Sequence, residues 1–253
     1  MHDLQAPLVQ RRRVARGVFV LGFRAGPIAR EVRAGQFVNV LLRPGPLLRR
    51  PFSVHRTEGE LVELVLRAVG EGTGRLLELR RGDRVGLLGP LGRGFALDPT
   101  AGRVTLVSGG LGVAPMPMAA HQARAMGMEV CWVHGARTAA DLCSEWEGDE
   151  VRWATEDGSQ GVRGTALEAV PEPAGQVLAC GPIPMLAALA RRWPEAQVAV
   201  ETVMACGTGV CLGCAVPLTS GVYTRACTEG PVYRAGSIDW ERLPAPTHRG
   251  TAP

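Results

Sequence analysis

Four cysteines near the C-terminus constrain this 253-residue chain more than any other feature. Cys206, Cys211, Cys214 and Cys227 follow the spacing C-x4-C-x2-C-x12-C. The first three fall in the run Cys-Gly-Thr-Gly-Val-Cys-Leu-Gly-Cys, whose glycines let the main chain turn tightly and aim its N–H groups inward. Such a segment favours an irregular loop wrapped around a bound centre over a helix or a strand.

This spacing is typical of a plant-type 2Fe–2S site, in which four thiolates hold two irons and the centre moves single electrons. A zinc site stays open as an alternative, although zinc ligands more often form two C-x2-C pairs and only one such pair occurs here. A disulfide framework is disfavoured because the chain is long, its cysteine count of seven is odd, and its start has no signal-peptide pattern. The predicted metal ligands are therefore Cys206, Cys211, Cys214 and Cys227.

Three regions separate along the chain. Short apolar or alternating runs bounded by Gly and Pro fill residues 8–98 and predict a small barrel, whereas strands alternate with helical stretches over 101–200 and predict a parallel sheet. The expected fold class is thus a β-barrel plus an α/β unit: an antiparallel barrel of six-stranded type at 1–99, a parallel sheet with helices at 100–201, a small cluster module at 202–240 and a loose tail at 241–253. Individual strands are expected at 13–23, 36–42, 61–68 and 83–88, and helices at 74–79, 116–126 and 184–193.

Composition excludes several classes of function. The formal net charge is +4 and all 28 basic residues are arginines, but they form only short runs and aromatic residues make up 5% of the chain, so no nucleic-acid-binding surface is predicted. No stretch approaches about eighteen consecutive apolar residues, so no membrane-spanning helix is expected. Free thiols and the absence of a secretory pattern predict a cytoplasmic protein.

Two motifs in the first region could bind one phosphate group together. Arg50-Pro51-Phe52-Ser53 places an arginine, whose planar fork of donors suits a pyrophosphate, near a serine that can hydrogen-bond a flavin ring edge. Gly70-Glu71-Gly72-Thr73 follows the strand end Val65-Leu66-Arg67 and begins a helix, whose N-terminus is a ready anion site. The plainer alternatives are a surface turn at Arg50 and a simple helix cap by Thr73.

Two further motifs follow strands of the second region. Gly109-Gly110-Leu111-Gly112 comes directly after the strand Val104–Val107, and a glycine-rich turn between strand and helix suits a dinucleotide pyrophosphate, although this one departs from G-x-G-x-x-G. Cys180-Gly181-Pro182 follows another short apolar strand, and ligands bind at the carboxyl ends of parallel strands. An ordinary strand-ending turn is the alternative for this second motif.

In their order along the chain, these motifs resemble the ferredoxin–NADP reductase superfamily and, within it, the electron-transfer subunits of two-subunit, NAD-dependent dihydroorotate dehydrogenases of class 1B. The resemblance runs from about residue 8 to about residue 235 and includes Leu-Gly-Pro-Leu-Gly-Arg-Gly-Phe at 88–95. It departs at Leu111, where many relatives have a third glycine, and at Phe52, where Tyr is usual in the superfamily. The choice between NAD and NADP stays open.

The resemblance implies which residues hold which cofactor. FAD would bind on the barrel, NAD would be the co-substrate on the sheet, and the 2Fe–2S cluster would lie beside them. The implied FAD-binding residues are Arg50, Pro51, Phe52, Ser53, Val65, Leu66, Arg67, Gly72 and Thr73. The implied NAD-binding residues are Gly109, Gly110, Gly112, Cys180, Gly181 and Pro182. No catalytic residue for dihydroorotate is identified, because the five histidines show no metal-ligand spacing and no triad is recognisable.

The implied function is that of an NAD-linked oxidoreductase subunit, which passes electrons from a catalytic partner through 2Fe–2S and FAD to NAD in pyrimidine biosynthesis. The implied partner is an FMN-containing dihydroorotate dehydrogenase catalytic subunit, in a heterotetramer of two plus two chains. One alternative is a homologous NAD(P)H reductase subunit of a hydrogenase, sulfite reductase or transhydrogenase-type complex. Another, of a different class, is a zinc-stabilised binding protein without redox activity.

Overall fold

The computed structural model describes residues 1–145 and 148–244. These residues form a closed barrel, a seven-stranded sheet with helices, and a two-stranded hairpin. Most of the predicted loose tail at 241–253 lies outside the described residues, from 245 onward. The longest helices of the described chain have 10 residues, and none is both long and apolar enough to cross a membrane.

The barrel is built from the first six strands. Their bounds are β1 His2–Ala15, β2 Val18–Arg24, β3 Phe37–Leu41, β4 Arg50–Glu58, β5 Leu61–Arg67 and β6 Arg84–Leu91. They close in the order β1-β2-β5-β4-β3-β6, and every neighbouring pair is antiparallel, including β6 with β1. Closure removes the unpaired edges that an open sheet would expose. The predicted six-stranded antiparallel barrel is confirmed.

Two local predictions in this region need correction. The single strand expected over 13–23 is wrong, because β1 and β2 form a hairpin whose turn contains Arg16 and Gly17, with Gly17 at φ 68°. The barrel also carries two short helices, α1 Gly26–Glu31 and α2 Glu71–Glu78. The helix expected at 74–79 therefore begins three residues earlier, at the Gly-Glu-Gly-Thr motif itself.

Alternation along β3 and β4 decides which side chains fill the barrel. Val38 and Val40 belong to the buried core, whereas Asn39 between them lies on the outer face of the strand. On β4, Val54 joins the same core and its neighbours Ser53 and His55 flank it on the outer face. This outer face of β3 and β4 is where the sites described below come together.

The second region is a doubly wound sheet. Its strands are β7 Arg103–Gly109, β8 Glu129–Ala136, β9 Glu150–Thr155, β10 Val162–Arg163, β11 Gln176–Cys180 and β12 Gln197–Ala199, with helices α3 Met116–Ala125 and α4 Ile183–Arg192. All neighbours from β10 to β12 pair in parallel in the order β10-β9-β8-β7-β11-β12, which confirms the predicted parallel sheet. The sequence patterns did not predict β9 and β10. The strand order reverses between β7 and β11.

Three short strands follow the sheet. They are β13 Ala215–Pro217, β14 Tyr223–Arg225 and β15 Val232–Arg234. β13 and β14 form an antiparallel hairpin between the third and the fourth predicted cluster cysteine. β15 pairs antiparallel with β12 and becomes the seventh strand of the sheet. The segment that carries the cysteines therefore leaves the sheet after β12 and returns to it at β15.

Candidate functional site

The two barrel motifs lie together where β4 and α2 begin. Arg50 is the first residue of β4 and Gly72 the second residue of α2. A Cβ atom added to Gly72 would lie 3.3 Å from Nε and 3.5 Å from Cγ of Arg50, so the guanidinium arm packs against the helix N-terminus. Arg50 Nη1 donates to the Leu48 carbonyl at 2.7 Å, which orients the arm. The positive charge and the helix N–H groups together suit an anion such as a pyrophosphate.

The Thr73 hydroxyl serves the start of α2 itself. It accepts hydrogen bonds from the N–H groups of Val69 at 2.9 Å and Gly70 at 3.2 Å, and it lies 3.1 Å from the Gly70 carbonyl. Thr73 is the third residue of the helix, so it stabilises the first turn from within. A ligand at this turn would meet main-chain N–H groups, which the first turn of a helix leaves without partners inside the helix.

The other predicted residues of β4 divide between its two faces. Pro51 lies opposite Asn39 of β3 and shares the outer face with Ser53. Phe52 lies opposite Val38 and packs partly against the core. The outer face therefore presents Pro51 and Ser53 to a bound molecule, whereas the Phe52 ring belongs largely to the barrel.

Arg67 is the most polar of the predicted residues at the end of β5. Val65 and Leu66 are only 6% and 2% exposed, so they can offer a ligand little beyond main-chain atoms. The Nε atom of Arg67 is buried and has no hydrogen-bond partner among the described residues. Because buried donors are normally paired, this orphaned N–H suits an acceptor on a bound molecule.

The glycine-rich turn and the Cys-Gly-Pro element meet between the adjacent parallel strands β7 and β11. A Cβ atom added to Gly112 would overlap the Cys180 carbonyl, and one added to Gly109 would lie 3.0 Å from Cδ of Pro182. Only glycine leaves room for two turns this close. The motifs thus converge at the switch point of the strand order, where sheets of this kind bind ligands.

Gly110 and Gly181 complete this turn pair. Gly110 has φ 53°, and a Cβ atom added there would meet no atom within 4 Å, so the turn is open on this side. Gly181 packs against Gly109, because a Cβ atom added to Gly181 would lie 3.1 Å from the Gly109 nitrogen. Burial raises the pKa of the Cys180 thiol to about 12, so the thiol stays protonated. It contributes a small neutral group to the site rather than a nucleophile.

The cysteine loop has no regular structure between β12 and β13. Gly207 and Gly209 take left-handed φ values of 70° and 83°, which the loop needs in order to curl. Cys211 is exposed, whereas Cys214 and Cys227 are buried. The loop thus holds its cysteines at a boundary between protein and solvent.

Main-chain N–H groups point at the sulfur atoms. Those of Thr208 and Cys211 donate to Cys206 Sγ, both at 3.4 Å, and that of Gly209 donates to Cys227 Sγ at 3.1 Å. These donors lower the pKa of Cys206 to about 6, whereas burial raises the pKa of Cys227 to about 11. N–H groups aimed at sulfur are among the features that tune an iron–sulfur centre.

The four cysteine side chains lie close enough to influence one another. The Cys206 side chain interacts with that of Cys211, and the Cys227 side chain with that of Cys214. Within residues 1–145 and 148–244, no three metal-ligating side chains converge on one point. Zinc requires three or four ligands around one ion, whereas a 2Fe–2S centre divides four cysteines between two irons. The spacing C-x4-C-x2-C-x12-C is what favours the two-iron centre over zinc.

Known proteins resemble this chain along nearly its whole length. A family model described as the iron–sulfur cluster binding domain of dihydroorotate dehydrogenase B matches residues 201–239. The electron transfer subunit of dihydroorotate dehydrogenase B (NAD(+)) from Geobacillus thermodenitrificans is 37% identical over 248 residues, which cover 91% of this chain and 96% of that protein. The subunit from Bacillus caldolyticus is 38% identical over 232 residues, or 85% and 90% of the two chains. The chain belongs to this family of electron transfer subunits.

The fold of this electron transfer subunit recurs among solved structures. A chain in the structure of the NADH-dependent reduced ferredoxin–NADP oxidoreductase matches with a TM-score of 0.84 and 29% identity, covering 94% of this chain and 91% of that one. The ferredoxin reductase in carbazole 1,9a-dioxygenase matches with a TM-score of 0.66 and 22% identity, over 76% and 64% of the two chains, a likeness of fold alone. The predicted reductase-type architecture is confirmed.

Sequence reasoning missed three polar residues that tie this electron transfer subunit together. Asn39 and His55 are buried on the outer face of the barrel, and Arg225 binds both the Glu229 carboxylate and, at 3.1 Å, the Gly209 carbonyl of the cysteine loop. A single polar residue inside an apolar strand is the signal that could have singled out Asn39. No local pattern marks His55 or Arg225, because their partners are distant in sequence or lie within an irregular loop.

Proposed function

We propose that this chain holds FAD on the outer face of its barrel, NAD at the switch point of its sheet and a 2Fe–2S cluster in its cysteine loop. In this function it carries electrons from a dihydroorotate-oxidising partner to NAD. The observation that carries the proposal is the docking of the cysteine loop onto the barrel beside the Arg-Pro-Phe-Ser strand, where Asn39 Nδ2 donates to the Cys206 carbonyl at 3.3 Å. Bound FAD supplies the exchange between hydride transfer and single-electron transfer.

The chain's own residues bind and orient the groups. Arg50 and the N-terminus of α2 hold the FAD pyrophosphate, and the orphaned Nε of Arg67 donates to the same cofactor. The turns Gly109–Gly112 and Cys180–Pro182 receive the nicotinamide nucleotide, and the protonated Cys180 thiol keeps a charge away from it. We assign FAD binding to a domain at 1–99, NAD binding to a domain at 100–201 and cluster binding to a module at 202–240.

The exposed rim of the cysteine loop suits a partner protein. Val210 and Leu212, which flank the exposed Cys211, are themselves 79% and 63% exposed. Apolar side chains around the outermost ligand favour a protein surface over water at the point where electrons enter. We assign this rim to an FMN-containing dihydroorotate dehydrogenase catalytic subunit, in a cytoplasmic heterotetramer of two plus two chains, in pyrimidine biosynthesis.

A second candidate has support of its own. The fold match at a TM-score of 0.84 and 29% identity is to a protein whose structure was described for flavin-based electron bifurcation. The same carriers would serve as a reductase subunit in a transhydrogenase-type complex. The identity of the catalytic partner separates the two candidates, because the arrangement of carriers within this chain would be the same.

An anaerobic affinity purification through a tag on this chain tests the proposal. We expect a copurified second flavoprotein and NAD reduction driven by dihydroorotate. Bleaching of flavin and cluster by NADH without dihydroorotate activity would keep the electron relay and favour the second candidate. A preparation that contains flavin and iron but shows neither reaction would contradict both candidates.

A further inference from the structure

The outer face of β3 and β4 ends in two buried polar side chains, one on each side of the flavin motif. Asn39 lies opposite Pro51, and His55 lies two residues beyond Ser53 on β4. Asn39 is 1% exposed and His55 is fully buried. Buried polar groups are costly unless they form hydrogen bonds, so the partners of these two residues indicate what they do.

Asn39 holds the cysteine loop. Its Nδ2 donates to the Cys206 carbonyl at 3.3 Å, across a separation of 167 residues in the chain. The approach is so close that a Cβ atom on Gly207 would overlap the Asn39 amide. Asn39 Oδ1 is buried and has no hydrogen-bond partner among the described residues. The Asn39 amide therefore donates to the cysteine loop from Nδ2, while its Oδ1 stays buried without a partner among the described residues.

His55 holds the nucleotide turn. Its Nδ1 lies 2.8 Å from the Ala114 carbonyl, which is two residues beyond the last glycine of Gly109–Gly112. Because a carbonyl only accepts, the imidazole donates from Nδ1. Nε2 lies 3.9 Å from Oε2 of Glu145, a carboxylate that Arg12 binds at 2.8 Å. The imidazole is thus fixed at Nδ1 by the nucleotide turn, whereas the buried Nε2 faces the Glu145 carboxylate and has no hydrogen-bond partner among the described residues.

The strand pairing is irregular beside both side chains. The pairing of β4 with β5 shifts between Val54 and Arg56, so His55 is the extra residue of a β-bulge. The pairing of β3 with β6 shifts between Phe37 and Asn39. Bulges re-aim side chains and are frequent beside active sites. The barrel thus departs from regular pairing at the two positions where it contacts the cysteine loop and the nucleotide turn.

We propose that Asn39 and His55 are positioning residues that hold the cluster loop and the nucleotide turn at opposite ends of the flavin face, so that each governs one half of the electron relay. The inference rests on the proposed function. His55 governs the step in which two electrons and a proton pass, as hydride, between the flavin and the nicotinamide; NADH drives this step in reverse in the assay below. Asn39 governs the step in which those electrons pass singly between flavin and cluster.

Two pairs of variants separate positioning from general stability. His55→Leu removes the Nδ1 donor, whereas His55→Asn keeps a nitrogen donor at the same distance from the backbone. Asn39→Leu removes the donor with similar volume, and Asn39→Asp replaces it with an acceptor that faces the Cys206 carbonyl. Each purified chain is first assayed for flavin, iron and the cluster's EPR spectrum, so that only loaded protein is compared.

The measurement follows both halves separately after anaerobic mixing with NADH. Flavin bleaching reports the first half, and the EPR signal of the reduced cluster in rapidly frozen samples reports the second. We expect His55→Leu to raise the NADH concentration for half-maximal bleaching about tenfold, because the Ala114 carbonyl is left unpaired. We expect His55→Asn to bring that concentration most of the way back to the wild-type value. We expect Asn39→Leu and Asn39→Asp to bleach normally and to reduce the cluster about tenfold more slowly.

The Asn39 variants are the controls for flavin bleaching in the His55 variants, and the His55 variants are the controls for cluster reduction in the Asn39 variants. Equal slowing of both halves in every variant, or wild-type behaviour in His55→Leu and Asn39→Leu, would overturn the inference. A wild-type chain that contains flavin and iron but neither bleaches nor yields a reduced-cluster signal would instead overturn the proposed function.

Discussion

The nucleotide turn and the cysteine loop are both tight, glycine-rich and assigned to a cofactor, but they are built in different ways. The turn is fixed by the parallel strands β7 and β11, whose main chains leave no room for a Cβ atom at Gly112. The stretch from 201 to 214 has no helix or strand, and its contacts include N–H groups aimed at sulfur and the amide of Asn39. Packing of the strands completes the first site without a ligand, whereas we expect the second to depend on a bound metal.

Removing one cysteine gives the largest expected effect and tests the second half of this contrast. We expect Cys211→Ser to lose the iron and the EPR signal of the 2Fe–2S centre while the barrel still binds FAD, because the Cys211 side chain is exposed and takes no part in the barrel core. Iron analysis, EPR and flavin absorbance measure this. Cys143→Ala is the control, since Cys143 is buried in the core and should leave the signal unchanged. A normal cluster signal in Cys211→Ser would contradict the ligand assignment.

Acidification should weaken the packed sheet through His134 of β8. Burial lowers the pKa of this histidine from its ordinary 6.5 to about 4. Between those pH values the unfolded chain takes up a proton that the folded chain does not, so stability falls as the pH decreases, by roughly 3 kcal/mol in total, and levels off below about pH 4. Denaturant unfolding from about pH 7 to about pH 4 measures the slope. An equally steep slope in His134→Gln would show that other groups cause it.

A methyl group at the packed turn tests the first half of the contrast. Gly112→Ala should cost roughly 1–3 kcal/mol of stability and weaken NADH binding about tenfold, because the Cys180 backbone must move. Thermal unfolding and NADH titration measure the two effects. Gly74→Ala is the matched control, since a Cβ there meets no atom within 4 Å and a helical alanine is favourable. Unchanged NADH binding in Gly112→Ala would separate this turn from the nucleotide site.

The smallest expected effect concerns the anion site of the barrel. This site combines a packed helix N-terminus with an arginine side chain, so it is intermediate between the nucleotide turn and the cysteine loop. Arg50→Lys keeps the charge but loses the planar fork of donors, so FAD should bind about fivefold more weakly. Fluorescence titration of FAD into the flavin-free chain measures it. Arg192→Lys is the control, because Arg192 forms a surface ion pair with Glu172 on the sheet region. Equal affinities in both variants would remove Arg50 from the FAD site.

The packed parts of the molecule were the easier ones to predict. Alternation and glycine boundaries indicated the barrel, and the strand–helix alternation indicated the sheet, because each signal lies within a few consecutive residues. The turn at Gly17 was missed because the strands on either side share one apolar pattern. β9 was not predicted, although the alternation of charged with apolar residues at the start of Glu-Val-Arg-Trp-Ala-Thr is itself a strand signal.

The cysteine spacing predicted a 2Fe–2S site, and the structure adds main-chain N–H groups that donate to the Cys206 and Cys227 sulfur atoms. Where the loop docks could not be predicted, because the contact of Asn39 with Cys206 joins residues 167 positions apart. The same holds for His55 and Glu145, which come from the barrel and the sheet region respectively. Local patterns carry no information about such pairs, so the residues that join the sites emerge only from the fold.

Because the chain returns to the sheet at β15, the segment that contains the cysteines also covers the edge of the sheet. β15 covers the outer side of β12 with a full antiparallel ladder, so a chain cut after residue 201 would expose the N–H and C=O groups of an edge strand to any neighbour. The shortened chain would therefore tend to self-associate rather than persist as a smaller flavin reductase. A related chain that lacks this cysteine module is therefore expected to have another strand, or a loop, that covers the edge of β12.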